Sequence, residues 1–66
     1  MFNVYRRARN GSQFALVGGI KAKSFPQAIT KMVPLAKPHH VNKKGSKILS
    51  AYYADKDFIF RVEKIA

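Results

Sequence analysis

The sequence predicts a single α+β domain, residues 1–66, in which one helix packs on one face of a four-stranded, mainly antiparallel sheet in the order β-β-α-β-β. Three observations predict it. Two alternating apolar segments flank Asn10-Gly11, a helix-start signal sits at Ser24, and a second alternating pair flanks Asp55-Lys56.

In the first pair, Phe2, Val4 and Ala8 alternate with Asn3, Tyr5 and Arg7. Phe14, Leu16, Ile20 and Ala22 alternate with Ala15, Val17, Gly19 and Lys21. Asn-Gly between two such runs is a strong hairpin signal. A two-residue turn there would pair Val4 with Val17 and put Phe2 and Phe14 on opposite faces. A three-residue loop, Arg9-Asn10-Gly11, pairs Val4 with Leu16 and gathers Phe2, Val4, Phe14, Leu16 and Ile20 on one side. A one-residue slip turns every side chain over, so the apolar pattern selects the three-residue loop.

Ser24 reads as a helix N-cap, with Pro26 in the first turn and Gln27 at the spacing of a capping box. Ala28, Met32, Ile29 and Val33 form the stripe that faces the sheet, and Thr30 and Lys31 point outward. Pro34 lacks the backbone donor that would continue the helix. Residues 34–47 are basic and rich in breakers and read as a loop between the helix and the second hairpin. In that hairpin a two-residue loop at Asp55-Lys56 pairs Tyr53 with Phe58, Ala51 with Phe60 and Leu49 with Val62.

A chain of 66 residues folds as one thin-cored domain that buries about 60% of its unfolded surface. Its 47% hydrophobic content, with five Phe and three Tyr, is enough to fold. The absence of cysteine leaves no disulfide or thiolate site and fits a reducing, cytoplasmic setting, or a host cytoplasm for a viral protein. Arg6, Arg7 and Arg9 before Phe14–Ile20 imitate a signal peptide. That apolar run is interrupted by Gly18-Gly19 and leads into Lys21 and Lys23 instead of a cleavage site.

Charge is the dominant feature. Thirteen Lys and Arg face three acids, a net charge of +10 at neutral pH. All three acids, Asp55, Asp57 and Glu63, fall in the last twelve residues, so residues 1–54 are cationic without one acidic residue. Solubility needs only about 2 to 8 net charges on a small domain. A one-signed stretch repels itself, and binding to phosphates is the usual reason to retain it.

The expected registers put Tyr5, Arg7, Arg9, Lys21, Lys23, Tyr52, Ile59 and Arg61 on the sheet face away from the helix. Cationic side chains interleaved with tyrosines on an open sheet suit nucleic acid, because Lys and Arg hold phosphates while aromatic faces stack on bases. The bland alternative is a solvated face with long side chains lying over exposed rings. Lys43, Lys44 and Lys47 around Gly45-Ser46 are a second candidate, a loop whose ammonium, backbone and hydroxyl donors surround a phosphate. That loop has neither the spacing nor the strand-to-helix setting of a nucleotide-triphosphate site.

No catalytic site or cofactor is expected. His39 and His40 are adjacent, so they point apart, and no third His or Cys joins them as a metal set. Asp55 and Asp57 read as turn residues. No nucleophile, base and acid form a set, so the chain reads as non-enzymatic.

The stretch Ile20-Lys21-Ala22-Lys23-Ser24-Phe25-Pro26-Gln27-Ala28 resembles the strand-cap-helix junction of small α+β proteins. These include some ribosomal proteins and phage-encoded inhibitors, anti-CRISPR proteins among them. The resemblance covers nine residues and carries no site. The functional expectation is therefore a DNA- or RNA-binding protein. The alternative is a phage-type or mobile-element inhibitor docking on an acidic or nucleic-acid-binding surface of a host protein. A peripheral membrane binder ranks below both, for want of a long amphipathic helix.

Overall fold

Five strands, not four, build the sheet. The computed structural model describes residues 1–65, with β1 at Phe2–Ala8, β2 at Ala15–Ile20, α1 at Phe25–Met32, β3 at Lys37–Lys44, β4 at Lys47–Ala54 and β5 at Phe58–Lys64. Their spatial order is β2-β1-β5-β4-β3, and each neighbouring pair is antiparallel.

The extra strand is the segment expected to be a loop. Lys37–Lys44 pairs with β4 from Lys37 opposite Ala54 to Lys44 opposite Lys47. All eight of its residues are exposed, so it needs no alternating apolar pattern and shows none. Pro38 is tolerated because an edge strand can spare a backbone donor on its open side. The turn is Gly45-Ser46, with Gly45 at φ +64° and no non-glycine residue at positive φ. Glycine first in a two-residue turn, followed by a residue at negative φ, matches a type II′ hairpin.

The first hairpin also differs. Val4 lies opposite Gly18, not Leu16, and a bulge at Val17 shifts the ladder so that Leu16 lies opposite Tyr5. The connection runs from Arg9 to Phe14. It opens with a turn in which Gly11 N donates to Ala8 O at 2.9 Å. Phe14 and Leu16 thereby leave the core face, while Phe2 and Ile20 stay on it, opposite each other. In the second hairpin Tyr53 lies opposite Phe60, and Ala51 opposite Val62. That is two residues from the expected register. An even slip keeps every side chain on its expected face, which is why the apolar pattern could not detect it.

The core is Phe2 and Val4 of β1, Phe60 and Val62 of β5, Ala51 and Tyr53 of β4, and Ala28 and Ile29 of α1. Val4 and Val62 face each other at the centre of the sheet and are fully buried. Phe25 meets Phe2 edge-on at 5.0 Å between ring centroids. Ser24 caps the helix by accepting from Gln27 N at 3.2 Å, and Gln27 Oε1 accepts in return from Lys23 N at 2.6 Å. Val33 forms the C-cap ahead of Pro34. The helix packs on β5 and β1, leaving the far side of the sheet without a second layer.

Candidate nucleic-acid interface

Strand register sets the outer face. Tyr5 on β1 and Tyr52 on β4 both lie opposite Arg61 on β5, so one arginine stands between two tyrosines. The Arg61 guanidinium carbon is 4.6 Å from the Tyr5 ring centroid and 4.7 Å from that of Phe14. Arg7 reaches the same Phe14 ring at 5.3 Å. Phe14 meets Tyr52 at 6.1 Å, and His40 of β3 meets Tyr52 at 5.5 Å. Four rings and two guanidiniums therefore form one continuous cluster that draws on β1, β5, β4, β3 and the β1–β2 loop.

The cluster has its own buried base. Ile59, opposite Arg7, is 5% exposed, and Ser50, opposite Glu63, is 4% exposed. Ile59 lies on the expected face but is covered, not presented to solvent. Arg61 Nε is 3.1 Å from Glu63 Oε2. It is buried and not aligned for a hydrogen bond, so the pair is held by charge alone.

Two other arginines of the expected surface are engaged by the fold itself. Arg7 Nη1 donates to the carbonyls of Ala8 and Arg9, both at 3.2 Å, and of Gly11 at 3.0 Å, clamping the β1–β2 loop. Arg9 Nη1 donates to Asp55 O, and Arg9 N donates to Asp57 O at 3.2 Å, tying that loop to the β4–β5 turn. In that turn Asp55 Oδ1 accepts from Asp57 N at 2.8 Å and from Phe58 N at 2.7 Å. Those two donors, Asp57 first, hold the Asp55 carboxyl below its usual range. On the helix side, burial pushes the Tyr53 phenol up.

The lysines fall in two other places. Lys21 and Lys23 follow β2 into the helix, exposed and outside the register that gathers Tyr5, Tyr52 and Arg61. Lys43, Lys44 and Lys47 lie on the β3–β4 hairpin, exposed. The β4–β5 ladder begins only at Ser50 opposite Glu63, so this end of the hairpin extends past the sheet as a cationic arm. Among the described residues, Arg61 to Glu63 is the one side-chain ion pair, which leaves these lysines without acidic partners.

Phe14 and His40 are the cluster members that the sequence reading missed. Phe14 was assigned to the core through the loop length. His40 joins Tyr52 only once β3 exists, and Gly45-Ser46 between lysines was the signal for that strand. Among the described residues no three His, Cys, Asp or Glu side chains are grouped as a metal set. No helix among them is long and apolar enough to cross a membrane. Comparison with known proteins finds no matching family model, no similar curated protein and no similar solved structure.

Proposed function

We propose that this protein binds nucleic acid, single strands foremost, across the outer sheet face and along the β3–β4 arm. The observation that supports this most is the cluster of Tyr5, Phe14, Tyr52 and His40 with Arg7 and Arg61, lying on a sheet face with no covering layer. Aromatic rings beside cations suit a strand that offers base faces and phosphates together. The rings are not equivalent. Arg61 already covers Tyr5 and Phe14, so an incoming base stacks at Tyr52 and His40, next to the arm.

The arm supplies the phosphate contacts. Lys43, Lys44 and Lys47 are flexible point charges that hold a backbone without reading its sequence. The net charge of +10 steers any polyanion to the surface. Stacking at Tyr52 and His40 is what distinguishes a nucleic acid from other polyanions. No catalytic role enters this reading.

The test is fluorescence anisotropy of a labelled oligonucleotide at two salt concentrations, with polyglutamate as competitor. Binding that weakens with salt and resists polyglutamate at equal charge is expected. No binding at low salt, or displacement by polyglutamate charge for charge, overturns the reading.

A further inference from the structure

The helix side of the sheet is only partly covered. A helix is about 10 Å across and strands lie about 4.8 Å apart, so one helix spans roughly two of five strands. Here α1 packs on β5 and β1. The short 33–36 segment adds Val33 and Ala36 against the core. β3 is exposed along its whole length, and so is the Lys47–Leu49 end of β4.

That open strip is apolar. Pro38 and Val41 lie opposite Tyr53 and Ala51, so they share the core face of the sheet. Val41 is nonetheless 43% exposed, and Leu49, two residues before Ala51, is 42% exposed. At one end Leu35 stands 84% exposed. It overlooks a cleft of about 710 Å³ between the 32–38 segment and the β4–β5 turn, walled by Met32, Val33, Pro34, Leu35, Pro38 and Ala54. Around the cleft the border is mixed, with Lys37, Lys56 and a backbone-bound Arg9 beside Asp55 and Asp57, whereas the far end is cationic, with Lys47 and Lys64.

We propose that this strip is the docking site for an acidic amphipathic helix of a partner protein. From Pro38 to Lys43 the strand runs about 17 Å, which matches roughly 11 residues, or three turns, of helix. Such a helix lays its apolar stripe on Leu35, Val41 and Leu49, beside α1 and in the manner of α1. Its carboxylates meet the lysines on either border. A second copy of this chain is a poor occupant, because it would bring a further charge of +10 against those lysines. Nucleic acid also fits poorly, because the strip offers aliphatic side chains and no ring to stack on.

The experiment uses the full chain and a labelled peptide with leucines at helical spacing and glutamates elsewhere, beside a scrambled peptide of the same composition. Anisotropy is read for the parent, for Leu35→Ser with Val41→Ser, and for Tyr52→Ala, each confirmed as folded by circular dichroism. The patterned peptide is expected to bind at least about tenfold more tightly than the scrambled one. The serine pair should lose that advantage and Tyr52→Ala should keep it. Should the serine pair not fold, Val41→Thr alone serves, with the same expected direction. Equal binding of the two peptides, parent-like binding by the serine variants, or loss through Tyr52→Ala overturns the proposal. So does a parent that self-associates in sedimentation velocity through the same side chains. None of these outcomes bears on oligonucleotide binding at the outer face, so the two readings fail separately.

Discussion

The guanidinium of Arg61 lies over the ring of Phe14, 4.7 Å from its centroid, although 46 residues separate them and Phe14 belongs to a loop. Arg61 in turn stands opposite Tyr5 and Tyr52 in the two flanking ladders. The β1–β2 loop is therefore anchored onto the outer face by a charge and a ring, not into the core by apolar packing. A half-exposed site of this kind contributes about 0.5–2 kcal/mol through the cation and ring, plus part of the burial of one aromatic side chain. Phe14→Ala should accordingly cost about 1–3 kcal/mol in urea unfolding. A core phenylalanine such as Phe60, 4% exposed, should cost about 3–5 kcal/mol on the same change. Equal losses at the two positions would contradict the outward placement of Phe14.

The two tyrosines of the outer face should behave differently. Tyr5 is covered by Arg61, whereas Tyr52 borders His40 and the arm. Tyr52→Ala should weaken single-strand affinity by roughly 1–3 kcal/mol, the value of one base-to-ring stack. Tyr5→Ala should cost less affinity and show its effect as lost stability. Neither change alters net charge, so a purely electrostatic binder would register neither in anisotropy.

The arm should appear in the salt dependence. If about five phosphates are neutralised, log affinity should fall against log salt with a slope of about −3.5 to −4.5, single strands giving the shallower value. Lys43→Ala with Lys44→Ala should flatten that slope by up to about two and weaken all sequences alike. An unchanged slope would remove the arm from the interface.

What the sequence revealed and what it hid follow one physical rule. Segments with one buried face carry an alternating record of it, so β1, β4 and β5 were legible, as was the helix start at Ser24 with Gln27. Edge strands carry no such record. β3 is solvated on both faces, and its Lys-Pro-His-His stretch reads as a loop until the Gly45-Ser46 turn is given weight. In β2 the bulge at Val17 moves Leu16 from one face to the other, and the signal for it is Gly18-Gly19 inside the strand, which apolar alternation alone passes over. The candidate site inherits the same division. Tyr5, Arg7, Tyr52 and Arg61 come from alternation on well-patterned strands and do lie together. Phe14 and His40 depend on a loop length and an edge strand. The structural bonds of Arg7 and Arg9 to backbone carbonyls leave no trace in the sequence at all.

Stability should fall at both ends of the pH range, for opposite reasons. Asp55 has its carboxyl held below 3.8 by the Asp57 and Phe58 amides. A lowered folded value means that its contribution is complete above about pH 4 and is lost as pH falls through the folded value. Tyr53 has its phenol raised above 10.0 by burial. Its contribution is complete below about pH 10 and is lost as pH rises beyond that. Asp55→Asn keeps an oxygen acceptor for both amides but cannot titrate, so it should flatten the acid limb of a melting-temperature profile. Tyr53→Phe should flatten the alkaline limb only. A change in the opposite limb for either variant would show that the wrong group has been assigned.

The hairpin arm rests on one backbone angle, Gly45 at φ +64°. A side chain there would meet no neighbouring atom within 4 Å, so a substitution tests conformation alone. An L-residue held at positive φ costs roughly 1–2 kcal/mol. Gly45→Ala should open or re-register the turn between Lys44 and Lys47 while the core, which contains no residue of β3, remains packed. Amide exchange should therefore speed up along Lys37–Lys44 and at Ile48, with Val4, Phe60 and Val62 still protected. Oligonucleotide affinity should fall together with arm protection, although no charge has been removed. If affinity is kept while the arm amides exchange freely, the lysines act as an unstructured cationic tail. The ordered strand would then contribute nothing to binding beyond its charge.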